Sequence, residues 1–187
     1  TVLAVDGSYD EGGHHRLLHG RTIHGVQLER KPGLPTLYYG RATPIGDVME
    51  DLAARAPTPR VGIVGLGAGT LLAYAREGWS VRVIEIDEAV VRIASDPKLF
   101  TFVHDTKAAV TTTVGDGRRE LEHLPAGSFD LLVVDAFSSD AVPVHLLTRE
   151  AVQGDLRVLA DGGLAAFHVS SQYVDLVPVL GAAARAD

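Results

Sequence analysis

Cysteine is absent from this 187-residue chain, which therefore has no disulfide framework, no thiolate ligand for zinc and no thiol nucleophile. Clustered positive charge is absent too, since no run of Lys or Arg occurs and the formal net charge is −7. This balance argues against a nucleic-acid surface or an anionic-membrane surface, because both attract clusters of cationic side chains. A cationic small molecule suits the chain better.

Long apolar runs are also missing. No segment approaches the roughly 20 apolar residues that cross a bilayer, and the N-terminus lacks the basic and apolar segments of a signal peptide. We therefore expect a cytoplasmic protein without direct membrane contact. The sequence begins in a predicted strand and ends in a predicted helix, so we expect a piece of a longer protein, with a core truncated at its C-terminal end.

Two parts of the chain differ in pattern. Residues 1–42 contain short apolar segments separated by Gly, Asp and His, which is typical of small antiparallel strands and hairpins. Residues 43–187 alternate between apolar strands and helical segments, and Thr43 and Pro44 begin the first helix. Strands that are apolar throughout indicate a parallel sheet covered on both faces. We predict an α/β protein with a small N-terminal β segment and a Rossmann-like core of five parallel strands.

A glycine-rich turn follows the first core strand. Gly65, Gly67 and Gly69 stand in VGLGAGT, where a side chain would block the approach of a ligand to the backbone. Glu85 ends the next strand about twenty residues later, where an acid can bond both hydroxyls of a ribose. The spacing GxGxG, rather than GxGxxG, favours an adenosine sulfonium over a dinucleotide. A structural tight turn is the alternative interpretation.

Two further acids follow later strands. Asp116 and Gly117 come after the third core strand, where the carboxylate can accept from an adenine amino group or cap the next helix, and these roles are compatible. Asp135 ends the fourth strand and faces the same crevice as Gly67 and Glu85. A carboxylate there can align an amine and take its proton, because an alkylammonium with a pKa of about 10 cannot attack carbon. An acid that caps a loop is the alternative for Asp135.

Four segments, in this order and spacing, resemble the core of spermidine synthases, the polyamine aminopropyltransferases: VGLGAGT, VIEID, VGDGR and LLVVDAFSSDAVPVHLLT. The resemblance covers about residues 17–179, and LLHGRTIHGVQ and LYYG resemble that family's small β domain. It implies a class I methyltransferase fold and a transferase of polyamine biosynthesis. The implied reaction moves an aminopropyl group from decarboxylated S-adenosylmethionine to a diamine such as putrescine.

The resemblance also implies roles for individual residues. Glu85 would hold the ribose, Asp116 the adenine, and Asp135 would orient and deprotonate the attacking amine. Gln27 and Tyr39 would line the cleft. Members of the family are often dimers or tetramers through the N-terminal β part, so a homodimer is expected.

Two positions depart from the family pattern. The family's glycine loop usually reads GGGDGG, whose Asp holds the amino end of the aminopropyl group, and here Ala68 stands at that position. After the catalytic acid the family usually has DSxDPxGP, whereas here Asp140 follows Asp135 by five residues. Asp140 and His145 are the candidates on this segment for contacting the acceptor. Methyl transfer from intact S-adenosylmethionine therefore stays an alternative, and a non-catalytic sensor of an adenosine ligand is a further one.

Eight histidines raise the question of a metal site. His15, His19 and His24 do not all fall in one register of alternating strands, so we expect no metal and interpret them as solvated or substrate-cleft histidines. His168 stands near the carboxyl end of the fifth strand, where it lies either at the site or satisfied within the core.

Overall fold

The structure, a computed structural model, describes residues 2–9, 12–20, 22–136, 143–169 and 175–185. Within these ranges the N-terminal part forms a three-stranded antiparallel sheet in the order β1-β2-β3. Its strands are β1 (Val2–Tyr9), β2 (Gly12–His19) and β3 (Thr22–Leu28). The predicted small N-terminal β segment is thereby confirmed.

A second sheet contains, in the described part of the chain, five strands that are all parallel. They are β4 (Arg60–Val64), β5 (Ser80–Glu85), β6 (Ala109–Val114), β7 (Phe129–Val134) and β8 (Leu159–Phe167). Their order is β6-β5-β4-β7-β8, so the chain reverses its direction of winding at β4. The predicted Rossmann-like parallel sheet is confirmed.

The central strands are apolar because both of their faces are covered. Val61, Val83 and Leu131 have no exposed surface, and they belong to one core cluster with Phe100 and Trp79. At the amino ends of β4 and β7, the Arg60 guanidinium forms two hydrogen bonds with the Asp130 carboxylate, of 2.9 and 3.3 Å.

Six α-helices surround this sheet in the described ranges. They are α1 (Pro44–Arg55), α2 (Glu88–Ala94), α3 (Phe102–Asp105), α4 (Gly117–Glu122), α5 (Arg149–Arg157) and α6 (Val177–Ala184). Pro44 begins α1 as predicted, although the Thr43 hydroxyl donates to the Gly40 carbonyl instead of capping the helix. None of the helices in this part of the chain has the length and apolarity that a membrane span requires.

Two segments whose pattern predicts helices form shorter ones in the structure: LLAYAREG after the glycine turn and TREAVQGDLRVLA before the fifth strand. The segment after the glycine turn forms only a 3-10 helix, Thr70–Tyr74, in which four of the five residues are buried. It therefore lacks the polar face of an amphipathic helix. The helix predicted up to Ala160 ends at Arg157, because the Val158 carbonyl accepts from the Phe129 N–H of β7 and β8 begins at the next residue.

Candidate functional site

A cavity of about 340 Å³ lies at the carboxyl ends of β4, β5, β6 and β7. This is the edge of the sheet at which the strand order reverses, and ligands of open parallel sheets bind there. The described residues that line it include four acids and neither Lys nor Arg. The acids are Glu85, Asp87, Asp116 and Asp135.

The glycine turn forms one wall of this cavity through Gly65 and Gly67, whose φ angles are +98° and +54°. A side chain at Gly65 would come within 2.3 Å of the Asp135 carbonyl oxygen, and one at Gly67 within 2.6 Å of the His24 carbonyl oxygen. Both positions therefore require glycine for conformation and for space. Gly69, with φ +83°, precedes the 3-10 helix and is not among the lining residues, so its contribution is to the turn.

Ala68 does not face the cavity, although it stands where the family usually carries an acid. It is 1% exposed, and any Cβ added at Gly25 of β3 would come within 2.4 Å of its methyl group. The N-terminal sheet therefore covers the glycine loop at this position. Where the family that the chain resembles usually has an acid, this chain therefore has a packed contact rather than an open space.

Glu85 is held at the cavity wall by two backbone donors. The Leu66 N–H donates to its Oε2 at 2.8 Å, and the Asp87 N–H donates to its Oε1 at 2.9 Å. A carboxylate oxygen has two lone pairs, so each oxygen can accept a further hydrogen bond from a ligand hydroxyl. The carboxylate is only slightly exposed and its orientation is set before any ligand binds.

Asp116 both caps a helix and lines the cavity. The Arg119 N–H donates to its Oδ1 at 3.2 Å at the beginning of α4, while its Oδ2 lies 3.6 Å from Nε2 of His145, another lining residue. Gly117 also lines the cavity, and a side chain there would come within 2.4 Å of Val64. Glycine at this position lets α4 approach β4 closely. Asp140 lies outside the described residues.

Asp135 follows β7, and its carboxylate is 6% exposed. The Tyr39 hydroxyl donates to its Oδ2 at 2.6 Å, and Nδ1 of His168 lies 2.6 Å from its Oδ1. Because a carboxylate only accepts, the His168 tautomer that fits carries its proton on Nδ1. Tyr39 is itself fixed, since the Tyr74 hydroxyl donates to its carbonyl at 2.5 Å. These contacts hold the carboxylate in one orientation.

Burial keeps the two tyrosines beside Asp135 protonated. Burial raises the pKa of Tyr39 well above the usual value of about 10, and the negative charge of Asp135 raises it further. Burial also raises the pKa of Tyr38 to about 12. At neutral pH the Tyr39 hydroxyl is therefore a hydrogen-bond donor to Asp135.

Gln27 has a different position from the one expected. Its Nε2 donates to the Pro32 carbonyl at 2.7 Å and to the Thr101 hydroxyl at 3.1 Å, and its Oε1 accepts from the Thr101 N–H at 2.9 Å. It is 2% exposed and is not among the residues that line the cavity. This placement corrects the expectation that Gln27 lines the cleft. The amide instead connects β3 to the turn before α3.

The N-terminal sheet forms one wall of the first cavity, through residues other than the predicted Gln27. Its lining residues are Val2, Leu17, His19 and His24. The sequence favoured solvated or substrate-cleft positions for His19 and His24 over a metal site, and in the described ranges no three His, Asp or Glu side chains converge on a metal site. No local pattern signals this wall, because it depends on packing between segments that are distant in the chain.

A second cavity, of about 390 Å³, shares Tyr38, Tyr39 and Asp135 with the first. His168 also lines it. The other described lining residues are apolar and come from α1, the 3-10 helix, β7 and β8: Pro44, Ile45, Val48, Leu71, Val133, Ala165, Ala166 and Phe167. The Asp135 carboxylate therefore stands between an acidic cavity and an apolar one.

No family model matches the chain. Among curated proteins, the polyamine aminopropyltransferase of Vibrio vulnificus (strain CMCP6) is 30% identical over 114 residues, which cover 58% of this chain and 37% of that protein. The chain therefore spans well under half the length of this relative.

Solved structures of similar fold include two spermidine synthases. A probable spermidine synthase from Corynebacterium glutamicum ATCC 13032 matches with a TM-score of 0.72 and 20% identity over 89% of this chain and 59% of its own. A spermidine synthase in complex with the transition-state analogue AdoDATO matches with a TM-score of 0.62 and 18% identity over 95% of this chain and 61% of its own. At these identities the likeness concerns the fold. The resemblance that the motifs predict is confirmed: the chain is spermidine-synthase-like in sequence and has the class I methyltransferase fold.

Proposed function

We propose that this chain is the core of an aminopropyltransferase that uses decarboxylated S-adenosylmethionine and an amine such as putrescine. The observation that carries the proposal is the Asp135 carboxylate, fixed by Tyr39 and His168 at the wall of a cavity that Glu85 and Asp116 also line. This arrangement combines a proposed binding site for adenosine with a carboxylate that is oriented to accept the proton of an amine.

The donor would bind through the acids and glycines of the first cavity. Glu85 would accept from the ribose hydroxyls and Asp116 from the adenine amino group, while Gly65 and Gly67 leave room for the ligand beside the backbone. A sulfonium cation suits a cavity whose described lining has four carboxylates and no cationic Lys or Arg side chain. The carboxylate of intact S-adenosylmethionine would find no Lys or Arg among these residues, which favours the decarboxylated donor.

The transfer step would be a displacement at carbon. The amine nitrogen donates its lone pair to the aminopropyl carbon that is bonded to the sulfonium sulfur. The bond between that carbon and sulfur breaks with its electrons going to sulfur, and neutral methylthioadenosine leaves. The amine loses its proton to the Asp135 carboxylate. Tyr39 and His168 contribute by holding that carboxylate toward the reacting amine, since effective transfer depends on the alignment of the two reactants.

The other functions that the sequence left open have less support. The curated relative described above is named a polyamine aminopropyltransferase, and both solved structures described above are named spermidine synthases. Methyl transfer and ligand sensing are not favoured by these relatives. The homodimer, the absence of a nucleic-acid partner and the cytoplasmic location stay predictions.

A titration of the purified chain tests the proposal. Calorimetry first compares the dissociation constants of decarboxylated S-adenosylmethionine, intact S-adenosylmethionine and methylthioadenosine. The formation of methylthioadenosine and of spermidine from putrescine is then followed. We expect the decarboxylated donor to bind more tightly than the intact one and to be consumed. A preference for intact S-adenosylmethionine would support methyl transfer instead. Binding without a product from any amine would support a sensor.

A further inference from the structure

The second cavity has the chemistry of a site for an apolar molecule with one polar end. Its wall is formed by aliphatic and aromatic side chains of α1 and β8, among them Ile45, Val48 and Phe167. Its volume of about 390 Å³ falls within the range of small-ligand pockets, which begins near ~300 Å³. Because it shares Asp135 with the donor cavity, a molecule in it can reach the same carboxylate as the donor.

The charge of this cavity is concentrated at one end. Among its described lining residues Asp135 is the one acid, and the remaining polar side chains are Tyr38, Tyr39 and His168 at the same end. The rings of Tyr38 and Tyr39 lie 4.3 Å apart between centroids, and those of Tyr38 and His168 lie 4.7 Å apart. A carboxylate beside an aromatic cluster is a favourable environment for one ammonium group.

A diamine does not match this distribution of charge. With one amine at Asp135, the second ammonium of an extended diamine would lie among Ile45, Val48 and Phe167. An ammonium buried without a partner is strongly unfavourable, whereas an alkyl group in the same place is stabilised by about 25 cal/mol per Å² of apolar surface that it removes from water. The described lining of the cavity therefore offers no partner for a second charge.

We infer that the second cavity is the acceptor site and that its preferred acceptor is a primary monoamine with a short apolar body. This inference rests on the proposed function, because it assigns a substrate class to the same site. The amine takes the place beside Asp135 and the apolar body packs against α1 and β8. The product is a secondary amine that carries the aminopropyl group, with one proton transferred to the carboxylate and methylthioadenosine released.

The test compares hexylamine with 1,4-diaminobutane on the purified chain. Binding of each amine in the presence of methylthioadenosine is measured by saturation-transfer NMR, and kcat/KM is measured with decarboxylated S-adenosylmethionine. We expect hexylamine to exceed 1,4-diaminobutane by at least about tenfold in both measurements, which corresponds to about 1.4 kcal/mol. A preference for the diamine overturns the inference.

Val48→Asp provides the specificity test, because it places a carboxylate on the half-buried α1 wall of this cavity. We expect it to shift the ratio of the two amines at least about tenfold toward the diamine. Val177→Asp, at a residue that is 63% exposed on α6, is the matched control and leaves the ratio unchanged. Ile45→Asp, in the first turn of α1 where an acid is favourable to the helix, is the second variant if Val48→Asp does not fold. An unchanged ratio in the folded variant contradicts the inference.

The two measurements separate this inference from the proposed function. Binding of hexylamine without product from any amine contradicts aminopropyl transfer but supports the acceptor cavity. Spermidine formation from 1,4-diaminobutane together with no binding of hexylamine supports aminopropyl transfer and overturns the monoamine preference. Failure of both amines to bind in the NMR measurement overturns the acceptor cavity itself.

Discussion

Asp135 is held from two sides by residues that lie far from it in the chain. Tyr39 precedes α1 and His168 follows β8, yet each contacts one oxygen of the same carboxylate at 2.6 Å. Charge-assisted hydrogen bonds of this length are among the stronger ones in proteins. The carboxylate therefore has little freedom to rotate away from the two cavities that it lines.

Asp135→Asn tests the role of this carboxylate. The amide cannot take a proton from the amine, so we expect kcat to fall by about 10²- to 10⁴-fold, the usual range for the loss of a general base. The affinity for methylthioadenosine should change less than about threefold, which is well below the tenfold change that corresponds to about 1.4 kcal/mol of binding free energy. The measurements are initial rates and calorimetric titration. An unchanged rate would remove the catalytic role of Asp135.

Tyr39→Phe tests whether the orientation of the carboxylate matters. The change removes the hydroxyl that donates to Asp135 but keeps the ring, so we expect kcat to fall about tenfold while the KM of the amine changes less. Thr36→Val is the control, because it also removes a hydroxyl, which donates to the Val26 carbonyl, and Thr36 is not among the described residues that line either cavity. Equal effects of the two variants would contradict an orienting role for Tyr39.

Asp155 lies outside the site, and burial raises its pKa to about 7, although nearby Arg118 lowers it. In the unfolded chain its pKa is about 3.9, so the unfolded state favours the ionised form and stability falls as pH rises from about 4 to about 7. Asp155→Asn should therefore raise the free energy of unfolding at pH 8 by up to about 4 kcal/mol, because the pKa differs by about three units between the two states, and by less than about 1 kcal/mol at pH 4. Urea denaturation at both pH values is the measurement. Exposed Asp161→Asn is the control, and an equal gain in both variants would contradict burial as the cause.

At the scale of elements, the glycine turn is confined between β7 and the N-terminal sheet. Gly65 has no room for a side chain because of the Asp135 carbonyl, and Gly67 has none because of the His24 carbonyl. Glycine is therefore required in this turn for two separate reasons. One is the approach of a ligand to the backbone, and the other is the approach of neighbouring protein segments.

Gly67→Ala should disturb the turn through both constraints. Its φ of +54° is unfavourable for alanine, and the new methyl would lie within 2.6 Å of the His24 carbonyl oxygen, so we expect a loss of about 1–3 kcal/mol in the free energy of unfolding. The affinity for methylthioadenosine should fall about tenfold or more. Gly33→Ala is the control, because no atom lies within 4 Å of a Cβ at that position. A stable variant with normal affinity would show that the loop tolerates displacement.

The sequence predicts strands better than it predicts the segments between them. Strands β4 and β7 are recognisable because they are apolar throughout, and parallel burial leaves few alternatives for such runs. The 3-10 helix Thr70–Tyr74 was predicted as a longer helix, since its apolar residues are compatible with either structure. Its length depends on the left-handed Gly69 before it and on the contact of Tyr74 with the Tyr39 carbonyl. Neither contribution is visible in local periodicity.

The molecule as a whole is acidic, and so is the first cavity, where the donor is proposed to bind. The chain has a formal net charge of −7, and the described lining of the first cavity has four carboxylates without Lys or Arg. Charges of one sign in a cleft attract ligands of the opposite sign over distances that salt shortens. The electrostatic attraction therefore distinguishes a sulfonium donor from the neutral product.

Ionic strength should reveal this difference. We expect the dissociation constant of decarboxylated S-adenosylmethionine to rise several-fold when NaCl is raised from 20 to 500 mM, because the Debye length falls from about 20 Å to about 4 Å. Methylthioadenosine carries no sulfonium charge and serves as the control ligand, with an expected change below about twofold. Calorimetric titration measures both. Equal salt dependence of the two ligands would contradict an electrostatic contribution from the four acids.

The relation between the two sheets is the part of the site that the sequence does not predict. Glu85, Asp116 and Asp135 follow strand ends, so the topology of the parallel sheet brings them together as expected. The wall from the N-terminal sheet and the structural role of Gln27 depend instead on how two independently patterned segments pack. Gln27 has three hydrogen bonds with Pro32 and Thr101, and nothing in its local sequence indicates the second of these partners.

The contact between Gly25 and Ala68 makes two distant positions dependent on each other during divergence. A Cβ added at Gly25 would lie 2.4 Å from the Ala68 methyl group. A larger residue at either position therefore requires β3 or the glycine loop to move. Acquisition of the family's loop acid at Ala68 is therefore not a single-step change in this background. The effects of substitutions at the two sites should therefore be epistatic, because each residue limits the space that is open to the other.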